Sequence, residues 1–165
     1  MEESPPARDE GQRAMELAYR ALGARERTVA ELRTFLERKR VGPHAIEVVV
    51  EELCHAGVLD DARYAHQFAE DKRTLERWGS GRIARDLRRR GIEPHLVEAV
   101  TLSQGHADEL ASAIVLLSDR FPGPLADDRA RDKAWRMLVR RGYEPELAYE
   151  ALRAHGQDFE EPRAA

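Results

Sequence analysis

Residues 88–98 read RRRGIEPHLVE, and a related stretch lies 51 residues to either side of it, RKRVGPHAIE at 38–47 and VRRGYEPELAYE at 139–150. The central prolines of the three stretches are Pro43, Pro94 and Pro145. The same offset relates two sets of apolar positions, which are Leu36, Leu87 and Leu138, and Leu32, Ile83 and Ala134. So many matches at one offset indicate an internal repeat of about 50 residues.

The spacing of apolar residues between the two chain ends is that of α-helices, and no run alternates as a strand would. We predict nine helices, at 12–24, 28–40, 43–56, 60–76, 79–90, 94–104, 106–120, 128–141 and 145–155. The offset groups them into three tandem three-helix repeats, at 12–57, 58–105 and 106–155. The predicted fold is all-α, an elongated and curved array of helix-turn-helix-like repeats, with disordered segments at 1–11 and 156–165.

Several helix ends carry a recognisable residue type. Thr28 followed by Glu31 forms a capping box at the start of the second helix. Ser80 can cap the fifth helix. Three glycines lie where a left-handed residue ends a helix, namely Gly57, Gly91 and Gly142. The three repeated prolines suit the first helical position, because proline has no N–H to leave unpaired there.

The composition excludes several classes of protein. The 165 residues carry a net charge of −4, and no stretch approaches the roughly 20 apolar residues of a membrane helix. The N-terminal MEESPPARDEG has no apolar core and is not a secretory signal. The single cysteine, Cys54, forms neither an internal disulfide nor a cysteine-cluster zinc site. We expect a cytoplasmic protein with no membrane partner.

Basic residues are concentrated in the middle of the chain, where residues 72–90 hold eight bases and two acids. On the helix predicted at 79–90, apolar residues share one face and arginines the other. The 51-residue offset repeats this basic ridge in the third repeat, and the first repeat lacks it. The candidate binding residues are Lys72, Arg73, Arg77, Arg82, Arg85, Arg88, Arg89, Lys133, Arg136 and Arg140. This pattern is typical of a surface that binds an anionic partner. Alternatively, it is an ordinary solvent-exposed helix face in an arginine-rich protein.

Motifs for catalysis are absent from the sequence. Two histidine pairs, His44 with His95 and His55 with His106, are related by the repeat offset and need no metal to explain them. The glycines of WGSGR at 78–82 lack the lysine of a phosphate loop and a preceding strand. They do not form a nucleophile elbow either. We predict a protein that is not an enzyme and holds no metal or cofactor.

Four segments resemble the bacterial RecX family. GVLDDARYA at 57–65 is similar to the family's "G-(Y/L)-(L/I)-(D/N)-D-x-(R/K)-(F/Y)-A", and WGSGRIARDL at 78–87 with RGI at 90–92 is similar to "G-x-x-x-I-x-x-(E/D)-L-x-x-(K/R)-G-(I/V)". AYRAL at 18–22, with RER at 25–27 and AEL at 30–32, resembles the family's start, and KAWRMLVRRGY at 133–143 resembles its third-repeat helix. The resemblance covers about residues 12–155. Two departures are Ser80, where the family often has proline, and the acidic total charge.

The resemblance implies tandem three-helix repeats and a regulator of the RecA recombinase that has no enzymatic activity and no cofactor. Such a protein binds the RecA–DNA filament, in its groove or at its growing end. It inhibits ATP hydrolysis, strand exchange and co-protease activity in recombination, DNA repair and the SOS response. Weak, salt-sensitive binding of single- and double-stranded DNA is also implied, and we expect a monomer. Two alternatives are a DNA-binding repeat module that competes for DNA, and a helical scaffold with an unrelated partner.

Overall fold

A computed structural model describes the backbone of residues 5–160 and the side chains of residues 9–156. Within this range the chain forms nine α-helices and no strand, which confirms the predicted all-α fold. The helices are α1 (Pro5–Ala24), α2 (Val29–Arg38), α3 (Pro43–His55), α4 (Asp61–Glu76), α5 (Ser80–Arg89), α6 (Pro94–Leu102), α7 (His106–Arg120), α8 (Asp128–Arg141) and α9 (Pro145–Glu160).

The outer helices extend further than the periodicity predicts. α1 begins at Pro5, so residues 5–11 are helical although the sequence predicted disorder there. One reason is a contact with the α2–α3 connection, since the Glu10 carboxylate accepts a 2.8 Å hydrogen bond from the backbone N–H of Gly42. α9 continues to Glu160 and includes part of the predicted C-terminal tail. The remaining positions of the two predicted tails, 1–4 and 161–165, lie outside the described residues.

Most predicted helix ends are confirmed. α3, α6 and α9 each begin at one of the repeated prolines. The three C-terminal glycines have positive φ values of 68°, 79° and 95°, in the order Gly57, Gly91 and Gly142. Thr28 caps α2 by accepting a 3.1 Å hydrogen bond from the backbone N–H of Glu31.

The predicted cap at Ser80 is wrong, because Ser80 is the first residue of α5 rather than the one before it. Its hydroxyl is buried and forms no hydrogen bond within the described part of the chain. Its backbone N–H instead donates a 2.7 Å hydrogen bond to the Glu109 carboxylate of α7. A side chain from another helix thus satisfies one of the N-terminal amides of α5.

The chain divides into two compact units, one formed by Met1–His66 with Leu87–Leu96, the other by Gln67–Asp86 with Val97–Ala165. In the first unit, α1, α2 and α3 enclose a core that includes Ala18, Leu36 and Val49. In the second, α7, α8 and α9 enclose a core that includes Leu117 and Leu138. The division into three repeats at 12–57, 58–105 and 106–155 stays a prediction from the sequence.

Burial confirms the apolar positions of the repeat. Each of the six residues related by the 51-residue offset is fully buried, with no measurable exposure; they are Leu32, Leu36, Ile83, Leu87, Ala134 and Leu138. α2, α5 and α8 therefore each turn the same face toward a core, and their remaining faces are left for solvent or a partner. Among the described helices, none is both long and apolar enough to span a bilayer.

Candidate binding surface

In the second unit, the start of α5 meets the end of α8. The backbone N–H of Gly79 donates a 2.9 Å hydrogen bond to the carbonyl of Arg141, and that of Gly81 donates a 3.0 Å bond to the carbonyl of Gly142. The first N–H groups and the last carbonyls of a helix have no partner inside it. The two helix ends satisfy each other, and this fixes α5 on α8.

Glycine is required on both sides of this junction. A Cβ on Gly79 would lie 2.5 Å from the carbonyl carbon of Gly142, closer than any real contact. A Cβ on Gly142 would overlap the backbone of Arg82, and its φ of 95° disfavours any side chain. The glycines of WGSGR therefore allow close backbone packing rather than phosphate binding.

Tyr143 strengthens the same junction. Its hydroxyl donates a 3.0 Å hydrogen bond to the carbonyl of Arg77, which lies in the connection between α4 and α5. The side chain is almost fully buried, and this burial, reinforced by the charge of Glu109, raises the pKa of Tyr143 to about 12. The phenol therefore keeps its proton and its hydrogen bond throughout the neutral range.

An equivalent junction joins α2 and the end of α5 in the first unit. The hydroxyl of Thr28 donates a 2.7 Å hydrogen bond to the carbonyl of Arg90, and a Cβ on Gly91 would overlap Ala30. The 51-residue offset matches these positions with those in the second unit, since Thr28 corresponds to Gly79 and Arg90 to Arg141. The repeat thus preserves a contact between helix ends as well as the pattern of the core.

The two junctions differ in charge. In the first unit, the Glu31 carboxylate oxygens lie 2.8 Å from a guanidinium nitrogen of Arg90 and 3.0 Å from one of Arg25. Glu31 thus neutralises part of the charge of both arginines. The corresponding residue in the second unit is Arg82. There, four arginines and a methionine line a shallow cavity, which we call the junction depression: Arg82, Arg120, Met137, Arg140 and Arg141. No acidic side chain among the described residues lines it, so its lining charges are all positive.

Two of these arginines are held in place. The guanidinium carbon of Arg82 lies 3.8 Å from the centre of the Trp78 ring, which also contacts the Lys72 ammonium at 4.8 Å. Arg141 donates a hydrogen bond to the backbone carbonyl of Glu76. The Glu76 carboxylate itself is bound by Lys72, whose hydrogen bond lowers the pKa of Glu76, with smaller contributions from the charges of Arg82 and Arg141.

The predicted ridge residues of α8 lie together on an exposed face. Lys133, Arg136 and Arg140 line a second shallow depression with Arg129 and Asp132. A carboxylate oxygen of Asp132 lies 2.8 Å from a guanidinium nitrogen of Arg136 and neutralises part of its charge. Lys133 and Arg140 form no ion pair with any residue that the structure describes. Because Arg140 also lines the junction depression, the basic face of α8 continues into it.

The predicted residues from the middle of the chain fall into three groups. Arg85, Arg88 and Arg89 are exposed on α5. Lys72 and Arg82 are half-buried, and both contact the Trp78 ring. Arg73 and Arg77 occupy structural positions. Arg73 donates a 2.6 Å hydrogen bond to the carbonyl of Val100, and burial lowers its pKa. Arg77 has a positive φ of 53° in the α4–α5 connection.

Three basic residues of this surface were missed by the sequence analysis. Arg141 corresponds to Arg90 under the repeat offset, so the repeat could have identified it. Arg129 lies one helical turn before Lys133, on the same face of α8. Arg120 ends α7 and carries no signal in the sequence, because only the packing of the second unit brings it beside α5 and α8.

Comparisons with known sequences give one consistent result. Residues 14–53 match the sequence model of the first three-helix domain of RecX, and residues 60–100 match that of the second. The chain is similar to the regulatory protein RecX of Deinococcus radiodurans, with 35% identity over 94% of this chain and 74% of the relative. It is also similar to the regulatory protein RecX of Trichlorobacter lovleyi, with 35% identity over 79% of this chain and 87% of the relative.

Solved structures agree at the level of the fold. The crystal structure of RecX from Lactobacillus salivarius superimposes with a TM-score of 0.81 over 90% of this chain and 98% of that one, at 16% identity. A second crystal structure of a regulatory protein RecX gives a TM-score of 0.76 over 90% of this chain and 74% of that one, at 19% identity. At such low sequence identity, the similarity to these structures shows the fold alone.

Proposed function

This chain belongs to the RecX family of regulatory proteins, and we propose that it is a negative regulator of RecA. It binds the RecA–DNA filament, in the groove or at the growing end, and inhibits ATP hydrolysis, strand exchange and co-protease activity. Its role is in recombination, DNA repair and the SOS response. It acts as a cytoplasmic monomer without enzymatic activity or a cofactor of its own.

The observation that carries this proposal is the basic surface of the second unit. Arg85 is exposed on α5, and Lys133 and Arg140 are exposed on α8 without an ion-pair partner among the described residues. Like charges close together repel, so this arrangement adds nothing to the stability of the isolated protein. An anionic partner removes the repulsion, and a nucleoprotein filament offers both phosphates and carboxylates.

The acidic total charge does not oppose this function. The net charge of −4 is a property of the whole chain, whereas a partner at close range responds to the charges facing it. Binding that depends on a local basic surface weakens steeply as salt is added. We therefore expect inhibition to be strongest at low ionic strength.

A titration of the protein into the ATPase of the cognate RecA, with single-stranded DNA well above saturation, tests the proposal. Inhibition at a small fraction of the RecA concentration supports regulation of the filament, because one bound molecule then affects many subunits. An ATPase rate that stays constant at every ratio contradicts it.

Charge variants locate the surface in the same assay. Arg85→Glu combined with Lys133→Glu should raise the concentration for half-inhibition about tenfold or more, because two attractive contacts become repulsive. Arg20→Glu combined with Arg153→Glu is the matched control, since these arginines are also exposed and the change in charge is the same. Equal inhibition by both variants would exclude the basic surface as the contact.

The alternative function is competition for DNA by a repeat module that binds without sequence preference. The basic residues of α5 and α8 favour it as well, because phosphates attract them whether or not RecA is bound. The two functions differ in stoichiometry. A DNA competitor inhibits only when its concentration approaches that of the DNA sites, and excess DNA abolishes the effect.

A further inference from the structure

We propose that the junction depression of the second unit binds a phosphodiester group of DNA. It is lined by Met137 and by four arginines: Arg82, Arg120, Arg140 and Arg141. Arg120 and Arg141 lie outside the ridge predicted from the sequence. This inference rests on the proposed function, in which the protein binds a RecA–DNA filament. It assigns one part of the basic surface to the DNA rather than to RecA.

The junction depression has an arginine at the position where the first unit has an acidic residue. In the equivalent junction of the first unit, Glu31 pairs with Arg90 and Arg25. In the second unit that position is Arg82, and none of the four arginines forms an ion pair within the described part of the chain. The depression thus concentrates positive charge where the repeat elsewhere places an acid.

The acidic residues near the depression form no ion pair with its four arginines in the described part of the chain. The Glu76 carboxylate is bound by Lys72. Glu144 approaches Gly81, with an oxygen 3.5 Å from the position of a Cβ there, and forms no ion pair with the described arginines. Asp132 is bound to Arg136 on the neighbouring turns of α8. The charges of Arg82 and Arg141 contribute to lowering the pKa of Glu76, but none of these acids forms an ion pair with the four arginines that the structure describes here. Arg120 and Arg140 therefore remain available to an external anion.

The structure orders part of the arginine set in advance. Arg82 is held against Trp78, and Arg141 is held by the Glu76 carbonyl, so two of the guanidinium groups are ordered before any ligand binds. Arg120 and Arg140 are exposed and can close on a ligand from the solvent side. Guanidinium groups bind phosphate oxygens with paired hydrogen bonds, and ordering part of the set in advance reduces the entropy lost on binding.

The length of the basic face favours a polymer of regularly spaced charges over a single carboxylate. From the depression, the basic face of α8 continues through Arg136 and Lys133 to Arg129. Arg129 and Arg140 are eleven residues apart, which is about 16 Å along a helix at 1.5 Å per residue. In double-stranded DNA, each strand places a phosphate about every 3.4 Å along the helix axis, so this face spans about five phosphates of one strand. Contacts of this kind carry no base specificity.

The test measures DNA affinity with the full chain, by fluorescence anisotropy of a labelled single-stranded oligonucleotide over a range of salt concentrations. Arg120→Gln combined with Arg140→Gln should weaken binding about tenfold. It should also lower the magnitude of the slope of log affinity against log salt by about 0.7 to 1.4, the value for one to two phosphate contacts. A duplex of the same sequence in a parallel titration shows whether one strand is sufficient.

Two controls separate charge from fold. Arg20→Gln combined with Arg153→Gln removes the same charge from exposed positions elsewhere and should leave the affinity and the slope nearly unchanged. Arg120→Lys combined with Arg140→Lys keeps both charges and should retain the salt slope. Circular dichroism of every variant confirms that the helices are formed.

The outcomes distinguish this inference from the proposed function. Unchanged affinity and slope in the Gln variant, or no measurable DNA affinity in the unmodified protein, would overturn the inference. Unchanged DNA affinity together with lost inhibition of the RecA ATPase would also overturn it, since the depression would then contact acidic groups of RecA. Weaker DNA binding in the Gln variant supports the inference even if the unmodified protein fails to inhibit RecA, a result that would contradict only the proposed function.

Discussion

The hydroxyl of Thr28 donates a hydrogen bond of 2.7 Å to the backbone carbonyl of Arg90, which lies 62 residues further along the chain. The same oxygen accepts a hydrogen bond from the backbone N–H of Glu31. One buried hydroxyl therefore caps α2 and also attaches it to the end of α5. In the second unit Gly79 occupies the equivalent position and makes the contact with its backbone N–H instead.

Replacing Thr28 with valine should lower the free energy of unfolding by about 2 to 3 kcal/mol. The change keeps the shape of the side chain, removes the helix cap and leaves the Arg90 carbonyl without its partner in a buried site. Thr34→Val is the matched control, because Thr34 is exposed on the same helix, and it should change stability by less than about 0.5 kcal/mol. Urea unfolding measures the free energy of unfolding of both variants. An equal decrease in the two variants would show that the contact between Thr28 and Arg90 contributes nothing to stability.

Replacing Gly142 with alanine should destabilise the second unit by more than about 2 kcal/mol. Alanine at this position must adopt a left-handed backbone, which a Cβ disfavours, and its Cβ overlaps Arg82, so α5 must move away from α8. Gly23→Ala, in α1, meets nothing within 4 Å and should be neutral or slightly stabilising. Thermal unfolding of the two variants compares them directly. A Gly142 variant as stable as the unmodified protein would contradict the described junction.

Stability should fall between pH 10 and about pH 12 because of Tyr143. The unfolded chain releases this proton near pH 10, whereas burial raises the pKa of Tyr143 to about 12 in the folded protein. The folded state then binds more protons than the unfolded state in this window, so the free energy of unfolding decreases by up to about 3 kcal/mol as the pH rises.

The variant Tyr143→Phe checks this dependence. It should cost about 1 kcal/mol near neutral pH, through loss of the hydrogen bond to Arg77, and should unfold with a flatter profile above pH 10. Tyr149→Phe is the control, since Tyr149 is 58% exposed. Urea unfolding at several pH values gives the profiles, and parallel curves for the unmodified protein and the Tyr143 variant would contradict the assignment.

Arg73 should contribute to stability more than to partner binding. Its guanidinium is half-buried and donates to the Val100 carbonyl, so Arg73→Gln leaves that carbonyl without its charged donor and should cost about 1 to 3 kcal/mol. Arg85→Gln, on the exposed face of α5, should change stability by less than about 0.5 kcal/mol and weaken inhibition of RecA. If Arg73→Gln proves fully stable but loses inhibition, Arg73 belongs to the binding surface.

The helical fold and the repeat could be read from the sequence because both depend on local patterns. Apolar residues spaced as in a helix, prolines at the first helical position and glycines after the last one act within a few residues of each other. The offset of 51 then placed Leu36, Leu87 and Leu138 at equivalent positions, and all three are buried. The predicted cap at Ser80 was wrong because α5 begins at Ser80 itself, whose amide is bound by Glu109 of another helix.

The basic character of α5 and α8 follows from the sequence by itself, because the angle between side chains on a helix depends only on their separation along the chain. Only the tertiary structure decided which basic side chains are available to a partner, on these helices and on α4 and α7. Packing buries Arg73 against Val100, holds Arg82 over Trp78 and brings Arg120 from the end of α7 beside Arg140 and Arg141. Such contacts join residues that are far apart in the chain, and no local spacing encodes them.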